Sequence, residues 1–325
     1  MFRRLLSFFV LALFVACNNT ESDPMLSKPP YSALTDSIGQ APRNADLWYR
    51  RGQLLFQNDE FDRARADLRQ AWRLAPREDI GLSLATALRR ISDDSAFVFL
   101  QGARKQLPQS LPLAIGLARA YQKKGQAAAA LELCDNILKV FPNQLDARSL
   151  KAELQQEAGD EAGALHTLET AHAFAPSDGE LAHRLAFAYA QSGNNKTLAL
   201  ADSLIAADKE AIHAEPYYFK GIYFSQKGNN KEALRQLNEA IEHDYTFIDA
   251  YMEKGQLQYN AKQYAAAEQT YTLALRITPT FADAWHWLAK AQEAQGKKAE
   301  AKANYQKAFG LDKSNTEAKA AADKL

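Results

Sequence analysis

Apolar and small residues along most of this chain recur at helical spacing, and the pattern itself repeats. Residues 248–281 read IDAYMEKGQLQYNAKQYAAAEQTYTLALRITPTF, two amphipathic segments joined by a short polar turn and closed by Thr278-Pro279. Apolar positions three and four apart predict one helix on each side of the turn. Shifted by 34 residues, neighbouring stretches keep the same register. Position 2 is often acidic (Asp46, Asp146, Glu180, Glu215, Asp249, Asp283), which suits a helix start, where free N–H groups and the dipole favour a carboxylate. Position 4 is aromatic in Trp48, Tyr217, Tyr251 and Trp285. Position 8 is small (Gly52, Ala118, Ala152, Ala186, Gly221, Gly255, Ala289), so a second helix can approach closely.

Position 15 is usually glycine (Gly125, Gly159, Gly193, Gly228, Gly296), as a left-handed cap after a first helix requires. Where Asp59 or Lys262 stands there instead, an aromatic follows, Phe61 or Tyr264. The second segment carries Ala at position 20, mostly apolar residues at 24 (Leu68, Leu168, Leu237, Tyr271, Tyr305) and Ala again at 27. Pro76, Pro108, Pro142, Pro176 and Pro279 end the unit, because proline stops one helix and leaves the next free to begin.

A period of 34 with this small, bulky and proline register resembles the tetratricopeptide repeat. The resemblance implies an all-α fold, a right-handed α-solenoid of about eight helix pairs with capping helices at both ends. The frames are 45–78, 79–110 (short and degenerate), 111–144, 145–178, 179–213, 214–247, 248–281 and 282–315. Residues 31–44 and 316–325 are expected to cap the array. The frame 179–213 has one extra residue and no terminal proline, which predicts a looser joint near 207–215. In the degenerate frame Phe97-Val98-Phe99-Leu100 puts four apolar residues in a row where a surface helix shows one stripe, and the expectation is packing within the chain.

The start of the chain breaks the pattern. MFRRLLSFFVLALFVAC places Arg3 and Arg4 before an apolar run, residues 5–16, that is short for a membrane-spanning helix and ends at Cys17. In one reading the cysteine is incidental and an ordinary signal peptidase cleaves nearby. In the other, Phe14-Val15-Ala16-Cys17 is a lipobox, and the stretch resembles bacterial lipoprotein precursors. That resemblance implies a signal peptide over 1–16, lipidation of Cys17, and membrane anchoring through more than one acyl chain. Asn18 rather than Asp after the cysteine points, by the same analogy, to the outer membrane, on its periplasmic or its outer face. Residues 17–30 are expected to form the lipidated N-terminus and a flexible tether, being polar and proline-bearing without a helical period.

Composition narrows the function. Across 325 residues, 39 basic side chains balance 39 acidic ones, which argues against a nucleic-acid partner. The six histidines form no H-E-x-x-H pair and there is no cysteine cluster, so no metal and no cofactor is expected. Cys134 falls at a core position. No phosphate-binding glycine loop or G-x-S-x-G turn is present, so the chain is not expected to be an enzyme. Arg65, Arg69 and Arg73 line one side of a helix, which reads as a solvated face, the alternative being a face toward anionic lipid or lipopolysaccharide near the anchor.

Function is then sought on a surface. In tetratricopeptide arrays the first helices line the concave side, with positions near 2, 5, 9 and 12 facing into it. On this sequence that implies Tyr49, Gln53 and Phe56; Ile115 and Arg119; His183 and Phe187; Tyr218 and Ile222; Met252, Gln256 and Tyr259; and His286 and Lys290. Aromatic and methionine side chains supply contact area at interfaces, so a protein or peptide segment of the cell envelope is the expected partner. The Lys and Asn combination that grips a C-terminal carboxylate in chaperone-binding members occurs in no frame. The alternative is a glycan-binding outer-membrane lipoprotein, with Tyr49, Tyr218, Tyr259 or Trp287 stacking on sugar faces.

Overall fold

The computed structural model describes residues 23–210 and 212–325, and among them it contains eighteen helices and no strand. They divide into two compact units, the first ending at Gln126 and the second beginning at Ala127. The first unit holds α1 (Ser32–Gln40), α2 (Ala45–Gln57), α3 (Phe61–Leu74), α4 (Glu78–Arg89), α5 (Asp93–Gln106) and α6 (Leu111–Lys123). The second holds α7 (Ala127–Val140), α8 (Leu145–Glu157), α9 (Glu161–Phe174), α10 (Gly179–Gln191), α11 (Lys196–Ala207) and α12 (Glu215–Gln226). It continues with α13 (Asn230–His243), α14 (Ile248–Asn260), α15 (Tyr264–Ile277), α16 (Ala282–Ala294), α17 (Lys298–Leu311) and α18 (Thr316–Lys324).

Within each unit consecutive helices pack as pairs, and the repeating positions show why. The glycines at position 15 take left-handed backbone, with φ between 61° and 77°. Asp59 and Lys262 take it too, at 63° and 61°, so the turn forms on an aspartate, which tolerates it, and is imposed on a lysine, which does not favour it. Phe61 and Tyr264 at the start of the following helix meet Phe56 and Tyr259 at ring distances of 5.3 and 5.2 Å, which closes these turns from the side. Position 8 sits against position 24 of the partner helix. A Cβ on Gly255 would come within 2.6 Å of the Tyr271 ring, and one on Gly221 within 2.8 Å of Leu237.

Position 4 has a purpose that its aromatic character hides. Trp48 Nε1 donates to the Pro42 carbonyl at 2.9 Å, and Trp285 Nε1 to Pro279 at 2.8 Å. Tyr251 Oη donates to the Tyr245 carbonyl at 3.2 Å, and Arg148, which is not aromatic, reaches Pro142 from two nitrogens at 2.9 and 2.6 Å. The side chain satisfies a carbonyl left open where the preceding helix ends, and fixes the entry of the next pair.

In the first unit, Arg51 and Asp67 are buried between α2 and α3, each 5% exposed. The guanidinium meets the carboxylate through two parallel bonds, at 2.6 and 2.9 Å, and donates to Thr35 Oγ1 of α1 at 3.0 Å. Burial pushes the Asp67 carboxyl up, and the Arg51 hydrogen bonds and charge hold part of that rise back. The degenerate repeat spends its apolar run internally. Phe97 packs edge-on against Tyr121, Phe99 edge-on against Trp72, and Leu100 is buried, leaving only Val98 of the four exposed.

Within the stretch expected to be a flexible tether, residues 17–22 lie outside the described residues and residues 23–30 are folded. From Asp23 to Tyr31 the chain forms hydrogen-bonded turns, and Met25 and Leu26 pack on Tyr31, Leu55 and Ala64. Asp23 pairs with Arg63 and with the Met25 amide, and Thr35 donates to the Leu26 carbonyl at 2.7 Å. Two apolar side chains in a polar stretch suffice to fold it back, a signal that composition averages away. At the other end, Ala318 and Ala322 of α18 are buried against Ala289, Ala301, Tyr305 and Ala308, so α18 covers the last pair.

Candidate functional site

The expected binding residues fall in two sets, one in each unit, and each set is placed by the first helices. In the first unit, Tyr49, Gln53 and Phe56 lie on α2, with Gln53 exposed and the aromatics half-buried. Gln53 donates to the Tyr49 hydroxyl at 2.8 Å, and Gln53 and Phe56 border a shallow pocket toward Leu82 and Thr86 of α4. Ile115 and Arg119 lie on α6. Arg119 borders a smaller apolar pocket of about 130 Å³ with Leu82, Leu100 and Gly116, whereas Ile115 does not line it.

In the second unit, two of the expected residues are core rather than open surface. His286 is 7% exposed, packed edge-on against Tyr305 and Trp287. Burial holds its imidazole below the usual histidine range. Ile222 is 6% exposed, in a cluster with Ala186, Phe219 and Tyr223. They stand at positions 5 and 9 of their frames, where a neighbouring helix covers each, α17 over His286 and α10 beside Ile222. Lys290 is engaged as well, with Nζ 4.6 Å from the Trp287 ring and 3.2 Å from Glu317 of α18. His183 Nδ1 is 2.8 Å from its own helix's Gly179 carbonyl. Met252 and Tyr259 pack partly on the Tyr271 and Leu288 core, and Gln256 is exposed. Cys17 lies outside the described residues.

What the structure brings together is a groove across α9, α10, α12 and α14, with about 570 Å³ of space. Tyr218 forms one wall, stacked on Phe187 at 6.4 Å with 17° between planes and edge-on to Phe247 at 5.0 Å. Leu165, Ala188 and the edge of Ile222 add apolar surface, and Gln191 and Gln226 supply amides. Two carboxylates complete it, Glu161 from the start of α9 and Glu253 from α14. Burial, with the Asp249 charge added, pushes the Glu253 carboxyl up. Burial and the charges of Glu253 and Asp249 push the Tyr218 hydroxyl up as well. Among the described residues no hydrogen bond or ion pair reaches Glu253.

Glu161, Leu165, Gln191, Gln226 and Glu253 escaped the sequence reading. Glu253 stands at position 6, one residue beyond the groove-facing position 5, and Glu161 and Leu165 belong to a second helix. The acid following Met252 was the available signal. Among the described residues, no group of three histidine, cysteine or acidic side chains is placed to hold a metal, and no helix is long and apolar enough to cross a membrane.

The comparisons agree with this architecture. Tetratricopeptide repeat family models match residues 32–79, 94–154, 220–280 and 270–303, together more than half of the chain. The chain is 30% identical over 107 residues to Protein SGT1 homolog of Bos taurus, covering 29% of this chain and 32% of that protein. It is 24% identical over 201 residues to Protein O-mannosyl-transferase TMTC1 of Homo sapiens, covering 61% of this chain and 23% of that protein. It thus spans a third or less of the length of these two relatives. Among solved structures, a tetratricopeptide repeat protein from Parabacteroides merdae superposes with a TM-score of 0.63 at 18% identity, over 75% of this chain and 96% of that one. The Cut9-Hcn1 hetero-tetramer gives 0.53 at 14% identity, over 89% of this chain and 57% of that one, a likeness of fold alone. With the repeat register, the paired helices and the family matches in agreement, the chain belongs to the tetratricopeptide repeat proteins.

Proposed function

We propose that this protein is a non-enzymatic, membrane-anchored adaptor of the bacterial cell envelope, which binds a protein segment along the first-helix face of its second unit. The observation that carries this reading is the groove beside Tyr218, where aromatic, aliphatic, amide and carboxylate groups from four helices converge. Such mixed lining matches the side chains of a peptide better than one small ligand. It also bears on the glycan alternative. Tyr218 and Phe187 contact each other directly, at a distance within the normal range for paired rings. They leave no slot between them for a sugar. The Tyr259 and Trp287 rings meet at 73°, not as two parallel faces. Anchoring through lipidated Cys17, at an outer membrane, rests on the sequence resemblance of the first seventeen residues.

The test uses the full chain extracted in detergent as bait for envelope proteins, beside a Tyr218→Ala/Tyr259→Ala variant of unchanged melting temperature, read by mass spectrometry. Partners retained by the native chain and lost with the variant are expected. Equal recovery by both refutes use of this face. In the same cells Cys17→Ala should move the protein out of the membrane pellet, and sedimentation with membranes in high salt would end the lipid-anchor reading.

A further inference from the structure

Glu253 is the unusual member of the groove. A carboxylate withdrawn from water is normally compensated by a cation or by several donors, because desolvation otherwise disfavours its charge. Elsewhere in this unit that rule is kept. Glu169 accepts from Lys196 and Tyr189, and Glu268 from Lys297, Gln292 and Gln295. Glu253 is half-buried with no such partner among the described residues, and the charge acting on it is that of another acid, Asp249. None of the residues lining the groove is a lysine or arginine. Arg184, which borders the adjoining hollow beside Glu161, is already paired with Glu153 at 3.2 Å and bonded to the Ser149 carbonyl at 3.1 Å.

We propose that this groove is a receptor for a basic side chain, an arginine or lysine borne on a protein segment with apolar neighbours, and that Glu253 is its specificity-determining residue. The inference rests on the peptide-binding reading above and adds the chemistry of the ligand. The aliphatic stem of the incoming residue lies along Leu165 and Ile222, beside the Tyr218 ring that borders the groove. The charged head reaches Glu253, with Glu161 and the two glutamine amides at the rim. Binding supplies the counter-charge that folding leaves out. A neutral or acidic residue in the same place would leave Glu253 desolvated and unpaired, so discrimination comes from the cost of the wrong ligand as much as from attraction to the right one.

The experiment measures fluorescence polarisation of the full chain with four fluorescein-labelled peptide pools. Their central residue is fixed as arginine, lysine, norleucine or glutamate, and leucine, phenylalanine and alanine are mixed at the flanks. The arginine and lysine pools should bind about tenfold more tightly than the norleucine pool, as a charge-assisted contact implies, and the glutamate pool more weakly still. The neutral isostere Glu253→Gln should cut that margin to about threefold or less without lowering the melting temperature. Glu253→Lys should transfer preference to the glutamate pool. Equal binding of the arginine, lysine and norleucine pools overturns the proposal, and so does a basic preference that survives Glu253→Gln. If pools bind and are lost with Tyr218→Ala but show no basic preference, the peptide groove stands and this inference falls. If no pool binds the native chain, both fall.

Discussion

Replacing Asp67 with alanine tests the packing logic of the first unit most severely. The variant leaves the Arg51 guanidinium buried at 5% exposure, with Thr35 Oγ1 and the face of Trp48, 5.1 Å away, in place of a two-point carboxylate partner. Breaking one side of such a pair costs about 3–5 kcal/mol, because an uncompensated charge stays in the interior. An exposed pair such as Arg235 with Glu232, whose side chains are 57% and 29% exposed, is screened by solvent and contributes far less by comparison. Repeat arrays are stabilised by nearest-neighbour contacts, so the loss should be local. Hydrogen exchange read by mass spectrometry should show protection in α1 to α3 falling by roughly a hundredfold to a few thousandfold, with α14 to α17 unchanged. The double variant Arg51→Met/Asp67→Leu should recover most of the loss, since apolar residues of similar volume often replace a buried ion pair at little cost. A single-variant loss below ~1 kcal/mol, or a double variant as unstable as the single, would refute this reasoning.

Three further outcomes are expected in the second unit. Gly255→Ala should destabilise it by about 1–3 kcal/mol through overpacking against Tyr271, despite a helix-propensity gain of ~1 kcal/mol. Gly310→Ala, whose Cβ meets nothing within 4 Å, should stabilise by about 0.5–1 kcal/mol, and urea melts of the two variants check the contrast. The hydrogen bonds from Lys196 and Tyr189 hold the Glu169 carboxyl below its ordinary range. A depressed carboxylate contributes stability that is complete above the unfolded-state value and lost as pH falls through the folded one. Stability should therefore decline as pH falls below the ordinary glutamate range and through the lowered folded value, and Glu169→Gln should flatten that limb modestly, since the pair is partly exposed. A limb of unchanged slope would assign the acid sensitivity to other carboxylates.

The sequence by itself determined the class of fold, because the signals were local and repeated. Small residues at position 8, glycine at position 15 and alanine at positions 20 and 27 report contacts between helices adjacent in the chain, so a single period carries most of the packing. Even the exceptions were marked, with Phe61 and Tyr264 following the non-glycine turns at Asp59 and Lys262, though only the backbone shows that both adopt left-handed φ. What the tertiary structure decided depends on residues brought together from different repeats. Burial of His286 and Ile222 follows from the approach of a neighbouring helix, which spacing along one helix cannot express. The Arg51 and Asp67 pair spans two helices, and each residue alone reads as ordinary surface charge. Folding back of Met25 and Leu26 hangs on two apolar side chains within a stretch that is polar on average. The groove is the clearest case. Glu253 becomes notable only when Tyr218 of α12 and Glu161 and Leu165 of α9 are placed around it, because desolvation is a property of the surroundings and not of the residue.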